Sequence, residues 1–206
     1  MPCAASAAEA FYRISKIRGE TDWNTIPQLC ADRVLWLPDA GIRAFGQLCL
    51  DDEQLYIHLR AEENAIRAEH TKPMSPVCED SCLEFFFMMP EDECYFNFEI
   101  NPNGCLRAEI GRDRTDRIML VAPFAESLFD IHTGMTSDGW EVFYQIPLSF
   151  LRIFRPEFKF SGSIRANVYK CGDLTVKPHY LAWSPIHSEQ PDFHQPAFFG
   201  VMHFGE

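Results

Sequence analysis

The chain of 206 residues carries a net charge of -12 and is 47% hydrophobic, with 18 phenylalanines. A surface this acidic repels phosphate backbones, so nucleic acid is excluded as an expected partner. No apolar run approaches the roughly 20 residues that a membrane helix needs, so a membrane partner is excluded as well. Phenylalanine favours half-buried pleated surfaces, and we expect residues 1–206 to form a single β-rich domain.

The N-terminal residues and the cysteines indicate the cellular compartment in which the protein is expected. The first residues lack the basic segment and apolar stretch of a secretory signal. The eight cysteines include no CxxC pair, and several lie inside apolar runs, as Cys49 does. We therefore expect free thiols and a cytoplasmic location, or a secreted one if a leader has been removed.

Turn signals recur about every ten residues, which is typical of a β-sandwich or barrel. Short helical segments are predicted at residues 23–29, 62–69 and 148–154. From alternation and composition, strands are predicted at residues 7–15, 33–37, 44–50, 54–61, 81–89, 95–101, 105–111, 129–135, 140–147, 164–170, 180–183 and 199–204.

The clearest hairpin joins residues 95–101 to residues 105–110. Asn103-Gly104 supplies the positive φ angles of its tight turn. Alternation places the apolar residues of both strands on one face, and Asn97 and Glu99 on the other. A second turn, at residues 137–139, precedes the strand at 140–147.

Polar side chains at alternate strand positions indicate a recognition face. Sugar binding needs planar polar groups that form paired hydrogen bonds with hydroxyls, and an aromatic ring against the C–H face of the sugar. The alternative for most such residues is the solvated face of a sandwich. The candidates are Glu84, Asn97, Glu99, Arg107, Gln145, Arg165, Asn167 and Tyr169.

Glu84 differs from the others because it lies inside the apolar run 83–87. Burying an unpaired carboxylate costs several kcal/mol, so this side chain needs a partner. The partner is either Arg165 or Arg107 in a structural ion pair, or a ligand.

The segment 169–194 is rich in residue types that carry function. Tyr180 and Phe193 are candidate stacking platforms. Cys171, His179 and His194 lack the short spacing of a zinc site, as does His187, and no signature pairs a nucleophile with a base. No glycine loop for phosphates is present, and residues 91–93 indicate a solvated turn rather than a calcium site. We therefore predict no catalytic residue and no metal ligand.

Several motifs occur in an order that resembles family 9 carbohydrate-binding modules, in the bacterial family 9-like branch. They lie at residues 80–86, 96–104, 139–147 and 193–200, with Asp22-Trp23 near the start. The resemblance implies an all-β fold, an immunoglobulin-like, DOMON-like antiparallel β-sandwich with a few short helical turns. It also implies binding of sugars or glycan chain ends, and some members hold structural calcium.

The resemblance also implies a site. Family members place a sugar between two aromatic platforms, of which one falls near Val77 and Cys78 and is not aromatic here, while the other matches Phe193. Glu84 matches a glutamate that bonds sugar hydroxyls, and Asn97 and Glu99 match polar residues of the neighbouring strand.

We therefore predict non-catalytic binding of a mono- or oligosaccharide without a cofactor. Its hydroxyls would bond Glu84, Asn97, Glu99, Arg165 and Asn167, and its ring would stack on Tyr180 or Phe193. The alternative is a protein-interaction or structural module that kept the fold and lost the sugar, as the missing platform suggests.

Overall fold

The computed structural model describes residues 10–120 and 125–205. Within these residues two short helices occur, α1 (Ala125–Phe129) and α2 (Leu148–Phe154), with single 3-10 turns at Trp23–Thr25, Val77–Glu79 and Pro196–Phe198. The strands are β1 (Phe11–Lys16), β2 (Leu29–Ala31), β3 (Arg33–Val34), β4 (Arg43–Leu50), β5 (Gln54–Glu62), β6 (Cys82–Met88), β7 (Tyr95–Ile100), β8 (Leu106–Gly111), β9 (Arg117–Met119), β10 (His132–Met135), β11 (Gly139–Pro147), β12 (Ser163–Cys171), β13 (Tyr180–Ala182) and β14 (Gly200–Phe204).

The strands form two layers that share β1. Their order along the hydrogen-bonded path is β10-β11-β5-β4-β1-β14-β12-β6-β7-β8-β9. Phe11 to Ile14 of β1 pair with β14, whereas Ser15 and Lys16 pair with β4, so this strand passes from one layer to the other. Both of these pairings are parallel, and the other pairings among the described strands are antiparallel. The predicted antiparallel sandwich is confirmed apart from β1.

The core lies between the two layers. Phe98 of β7 stacks on Tyr144 of β11 with ring centroids 6.1 Å apart, and Phe87 stacks on Phe96 at 5.1 Å. Alternation explains this packing, because β5 and β11 bury every second residue along most of their length.

The outer face of β6 and β7 is covered as well. Every residue of β7 is buried, although only one of its faces meets the opposite layer. Loops from residues 33–37 and 171–199 lie over this face and close an outer apolar cluster. The cluster consists of Leu35, Val77, Cys82, Phe86, Tyr95, Cys105, Tyr169, Cys171, Ala182, Ile186, Phe193 and Phe199.

A cluster of buried polar side chains joins β12 to the end of β5. Lys170 has no exposed surface, and its ammonium lies 3.2 Å from Glu63 Oε1 and 2.8 Å from Nε2 of His179. Glu63 also accepts from Trp140 Nε1 at 2.7 Å and from the Ser81 hydroxyl at 3.0 Å. Burial and the neighbouring ammonium lower the pKa of His179 to about 4, so this imidazole is neutral and its Nε2 accepts a hydrogen bond from the Lys170 ammonium.

Some predicted elements differ from the structure. The helix predicted at residues 62–69 is absent, because residue 62 ends β5 and the following residues are irregular. The strand predicted at 129–135 begins only at His132, after α1. Strands β2 and β9 have three residues each, too short for a periodic pattern. Of the strand predicted at 7–15, residues 7–9 lie outside the described part.

The described part contains no helix long and apolar enough to cross a membrane. No disulfide joins its cysteines, and Cys3 lies outside it.

Candidate functional site

A pocket of about 290 Å³ opens on the covered face of the β12-β6-β7-β8 layer. Strands supply its floor, and the loops at residues 36 and 171–194 supply its walls. We call it the acidic pocket. It is lined by Trp36, Cys78, Glu84, Glu99, Arg107, Glu109, Arg114, Arg117, Cys171, Asp173, Tyr180, Pro191, Asp192, Phe193 and His194.

Strand register sets the floor. Glu84 of β6 lies directly opposite Tyr169 of β12 and Glu99 of β7, and Glu99 lies opposite Arg107 of β8. Side chains of directly opposite residues share a face and lie about 5 Å apart at Cβ. The alternation read from the sequence therefore does bring the two glutamates together, but on a buried face rather than a solvated one.

Glu84 is 2% exposed and has no arginine partner among the described residues. Its Oε1 accepts from the Cys171 thiol at 2.9 Å. Burial, and next the nearby carboxylate of Glu99, raise the pKa of Glu84 well above its ordinary value. The structural ion pair considered for Glu84 is not formed, because the Arg165 guanidinium donates to Phe199 O at 2.5 Å and Arg107 donates to Glu109 at 2.7 Å.

Glu99 is 5% exposed and sits beside Glu84. Its Oε1 accepts from Asn97 Nδ2 at 2.7 Å. Burial raises its pKa to about 7 against the opposing charge of Arg107, so Glu99 exchanges its proton near neutrality. The pocket therefore presents two carboxyl groups of which at least one is protonated at neutral pH, able both to donate and to accept hydrogen bonds.

Arg117 of β9 organises the neighbouring polar groups. Its Nε donates to Glu109 Oε2 at 2.9 Å, and its Nη2 donates to Asn97 Oδ1. Although burial opposes the effect, the hydrogen bond from Arg117 and the charge of Arg107 lower the pKa of Glu109, so this carboxylate is ionised. Arg117 thus holds the amide of Asn97 in the orientation that donates to Glu99.

The same arginine orients a histidine. Arg117 Nη1 donates to the Tyr95 hydroxyl at 2.6 Å, and its guanidinium lies 4.9 Å from the centre of the Tyr95 ring. The hydroxyl therefore directs its own proton to Nδ1 of His194, 2.9 Å away. Burial and the charge of Arg117 lower the pKa of His194 to about 4. We assign a neutral imidazole with its remaining proton on Nε2.

Aromatic side chains form one wall of the pocket. Phe193 stacks on Tyr169 with centroids 4.1 Å apart and planes at 6°, and it is only 8% exposed. Trp36 meets Tyr180 edge-on at 5.4 Å and Phe193 at 5.6 Å. Trp36 and Tyr180 are half-buried and so retain ring surface for a ligand, which Phe193 largely lacks.

Trp36 was not predicted from the sequence. It has φ 56°, a left-handed conformation that is unusual for a bulky residue, and its indole donates to Ser188 O at 2.9 Å. Such conformations persist where surrounding contacts enforce them, and they concentrate at binding sites. Its ring lies on the aromatic wall with Phe193 and Tyr180, whereas Val77, at the place where the resemblance implies a platform, is fully buried in the outer cluster.

Three predicted ligand-binding residues do not line the pocket, namely Asn97, Arg165 and Asn167. Arg165 donates to the backbone oxygens of Phe199 and Ala197. Asn167 has no exposed surface, donates to Ser184 O at 2.9 Å and accepts from Ser184 N at 2.8 Å. Their polar groups form hydrogen bonds with the backbone of the covering loops, so the structure does not bring these two residues together with the other predicted site residues.

The other predicted ligand-binding residues lie in the pocket or directly behind it. Glu84, Glu99, Tyr180 and Phe193 line the pocket, and Asn97 lies behind it in the Arg117 network. The four cysteine and histidine residues of the late segment do not converge, because His179 faces Lys170 and His187 packs on Phe198 at 5.6 Å.

Comparison with known proteins adds the following. A family model described as carbohydrate-binding family 9 matches residues 19–204. A crystal structure of a candidate carbohydrate-binding protein from Bacteroides uniformis ATCC 8492 is similar over 96% of this chain and 100% of that chain, with 26% identity and a TM-score of 0.84.

Two structures of a family 9 module from Caldicellulosiruptor kristjanssonii share the fold. The complex with glucose has 14% identity, and the chains cover 95% of each other. The complex with cellotriose has 13% identity and covers 94% of this chain and 93% of that one. Both have a TM-score of 0.65. No protein with a curated description matches the chain.

Proposed function

Because the chain belongs to carbohydrate-binding family 9, we propose that it binds a neutral sugar in the acidic pocket and does not transform it. The observation that carries the proposal is the pair of buried carboxyl groups, Glu84 and Glu99, beside the half-buried rings of Trp36 and Tyr180. Carboxyl, amide and imidazole groups that already hold defined orientations suit hydroxyls, and the rings suit the C–H face of a sugar.

The charge of the pocket favours a neutral ligand. Glu84, Glu99, Glu109, Asp173 and Asp192 line it together with Arg107, Arg114 and Arg117, so the opposite charges largely offset each other and the pocket has no strong attraction for an anion. A polyol adds no charge, and its hydroxyls can accept a hydrogen bond from a protonated glutamate and donate one to an ionised glutamate. The cavity of about 290 Å³ lies at the small end of ligand pockets, roughly 300–1,000 Å³, which favours a monosaccharide or a chain end over the middle of a polymer.

The positions of the carboxyl groups support binding without turnover. Glycosidases place two carboxyl groups on opposite sides of the scissile bond. Glu84 and Glu99 are cross-strand neighbours on one floor, so both face a ligand from the same side.

Glucose and cello-oligosaccharides are the first ligands to test, since the related module binds glucose and cellotriose. Isothermal titration at millimolar glucose, cellobiose and cellotriose is expected to give saturable 1:1 binding. Absence of saturable binding by the folded protein to any of these or to a wider sugar panel would favour the protein-interaction alternative.

Trp36→Ala is expected to weaken that binding at least tenfold, because it removes a ring face from the wall. The same titration checks it, with circular dichroism to confirm folding. Trp23→Ala is the matched control, since Trp23 is also half-buried but contacts Phe143 and His58 on the other layer. Equal affinities of the Trp36 variant and the wild type would remove the tryptophan from the site.

A further inference from the structure

Two thiols and a carboxyl group meet at the floor of the acidic pocket. Cys82 of β6 lies directly opposite Cys171 of β12, and Glu84 is two residues along from Cys82, on the same face. One ligand atom from each, the two Sγ atoms and a carboxylate oxygen, lie within 4.8 Å of one another. The three side chains come from two neighbouring strands, so their mutual position is fixed by sheet register rather than by a loop.

The cluster is buried but reachable. Cys82 has no exposed surface, and Cys171 and Glu84 are each 2% exposed. Both cysteines are free thiols, and Cys171 and Glu84 line the pocket. An ion could therefore reach the cluster from the pocket side without unfolding either strand.

The cluster also lacks a positive charge of its own. Among the described residues no lysine, arginine or histidine forms an ion pair with Glu84, since Lys170 on β12 pairs with Glu63 at 3.2 Å, and Glu99 lies directly opposite Glu84 on β7. Arg107 and Arg117 are committed to Glu109 at 2.7 and 2.9 Å. A cation would therefore meet a carboxyl group whose hydrogen-bond partner is the Cys171 thiol, itself one of the proposed ligands.

We propose that Cys82, Cys171 and Glu84 bind a thiophilic divalent cation, of which Zn²⁺ is the natural example. Two sulfurs and one oxygen suit a tetrahedral ion, with bonds of about 2.3 Å to sulfur and about 2.1 Å to oxygen. Binding releases the proton of each thiol and any proton on Glu84 to solvent. With three protein ligands, the fourth position of a tetrahedral ion is open to water. The site differs from a calcium site, which takes oxygen ligands, and it goes beyond sugar binding because it requires no sugar.

Cobalt(II) titration tests the site directly. The reduced full chain, stripped with EDTA, desalted and kept anaerobic, is expected to take up one equivalent of Co²⁺. A thiolate-to-cobalt charge-transfer band and the visible bands of tetrahedral cobalt would appear, and Zn²⁺ would abolish both. Cys82→Ser and Cys171→Ser are each expected to lose the charge-transfer intensity or weaken binding at least tenfold. Cys49→Ser, which changes a buried thiol on the other layer, should behave as wild type.

Two further measurements test the site without removing a thiol. Glu84→Gln keeps both thiols and is expected to weaken Co²⁺ binding at least tenfold. Zn²⁺ is expected to protect Cys82 and Cys171 from alkylation in the wild type, as mapped by mass spectrometry, which does not depend on the serine variants folding. Folded protein without a charge-transfer band, or a band that persists in both serine variants, would overturn the site. Titration of the metal-free protein with sugar tests the proposed sugar binding, and its outcome does not depend on whether the metal site exists.

Discussion

Lys170→Met is expected to lower the free energy of unfolding by about 3–5 kcal/mol. Breaking a buried ion pair by removing one partner leaves the other charge uncompensated, which costs that amount. Here the orphaned charge is Glu63, which lies 3.2 Å from the Lys170 ammonium, and His179 loses the donor at its Nε2 as well. Urea unfolding followed by circular dichroism measures the change.

Two companion variants separate charge from packing. Lys177→Met changes an exposed lysine of the same segment and is expected to alter stability by less than about 0.5 kcal/mol. Combining Lys170→Met with Glu63→Gln is expected to recover at least half of the loss, because the uncompensated carboxylate is gone. A cost below about 1 kcal/mol for Lys170→Met alone would show that the pair is not structural.

Glu99→Gln is expected to stabilise the protein at pH 8 while weakening sugar binding at least tenfold. The pKa of Glu99 is about 7 in the fold against 4.5 without it. As pH rises from 4.5 to 7, the unfolded chain releases this proton first, so the wild type loses stability across that window. The difference between these two pKa values corresponds to about 3 kcal/mol at most, and the Gln variant does not suffer this loss of stability.

The pH dependence of this stabilisation distinguishes removal of the raised pKa of Glu99 from a change in side-chain packing. The gain of Glu99→Gln should be small at pH 4.5 and grow to its full size above pH 7, measured by thermal unfolding with EDTA present. Glu157→Gln alters an exposed glutamate and should give no such trend. A stability difference that is the same at both pH values would contradict a raised pKa of Glu99.

Much of the fold followed from the sequence because its strands are long and regular. The hairpin of β7 and β8 and strands β4, β5, β11 and β12 lie where alternation predicted them, to within one or two residues. The family inferred from the ordered motifs is confirmed by the family model. The helix at 62–69 was wrong because its short run of helix-favouring residues is overridden by the Asp80 carboxylate, which accepts from the backbone of Glu69 and His70.

The candidate site was only partly predictable, because burial of its polar face depends on distant loops. Alternation placed Glu84, Asn97 and Glu99 on one face, but Phe193 and Trp36, which are distant in sequence, cover it. Arg117 lies on a strand of three residues after a charged turn, where no periodicity marks it. Arg165 and Asn167 share the strand pattern of the site residues, and only the position of Ser184 and Phe199 shows that the backbone uses them.

The central claim, that a sugar binds in the acidic pocket, is tested most directly by the indole N–H signals of the four tryptophans in an NMR titration with cellotriose. Trp36 is expected to shift with saturation. Trp140 has no exposed surface and should not move. Trp23, in the aromatic group on the opposite layer with Phe143 5.6 Å away, should not move either. A saturable shift of Trp23 with Trp36 unchanged, or no shift at all at millimolar sugar, would contradict the assignment of the pocket.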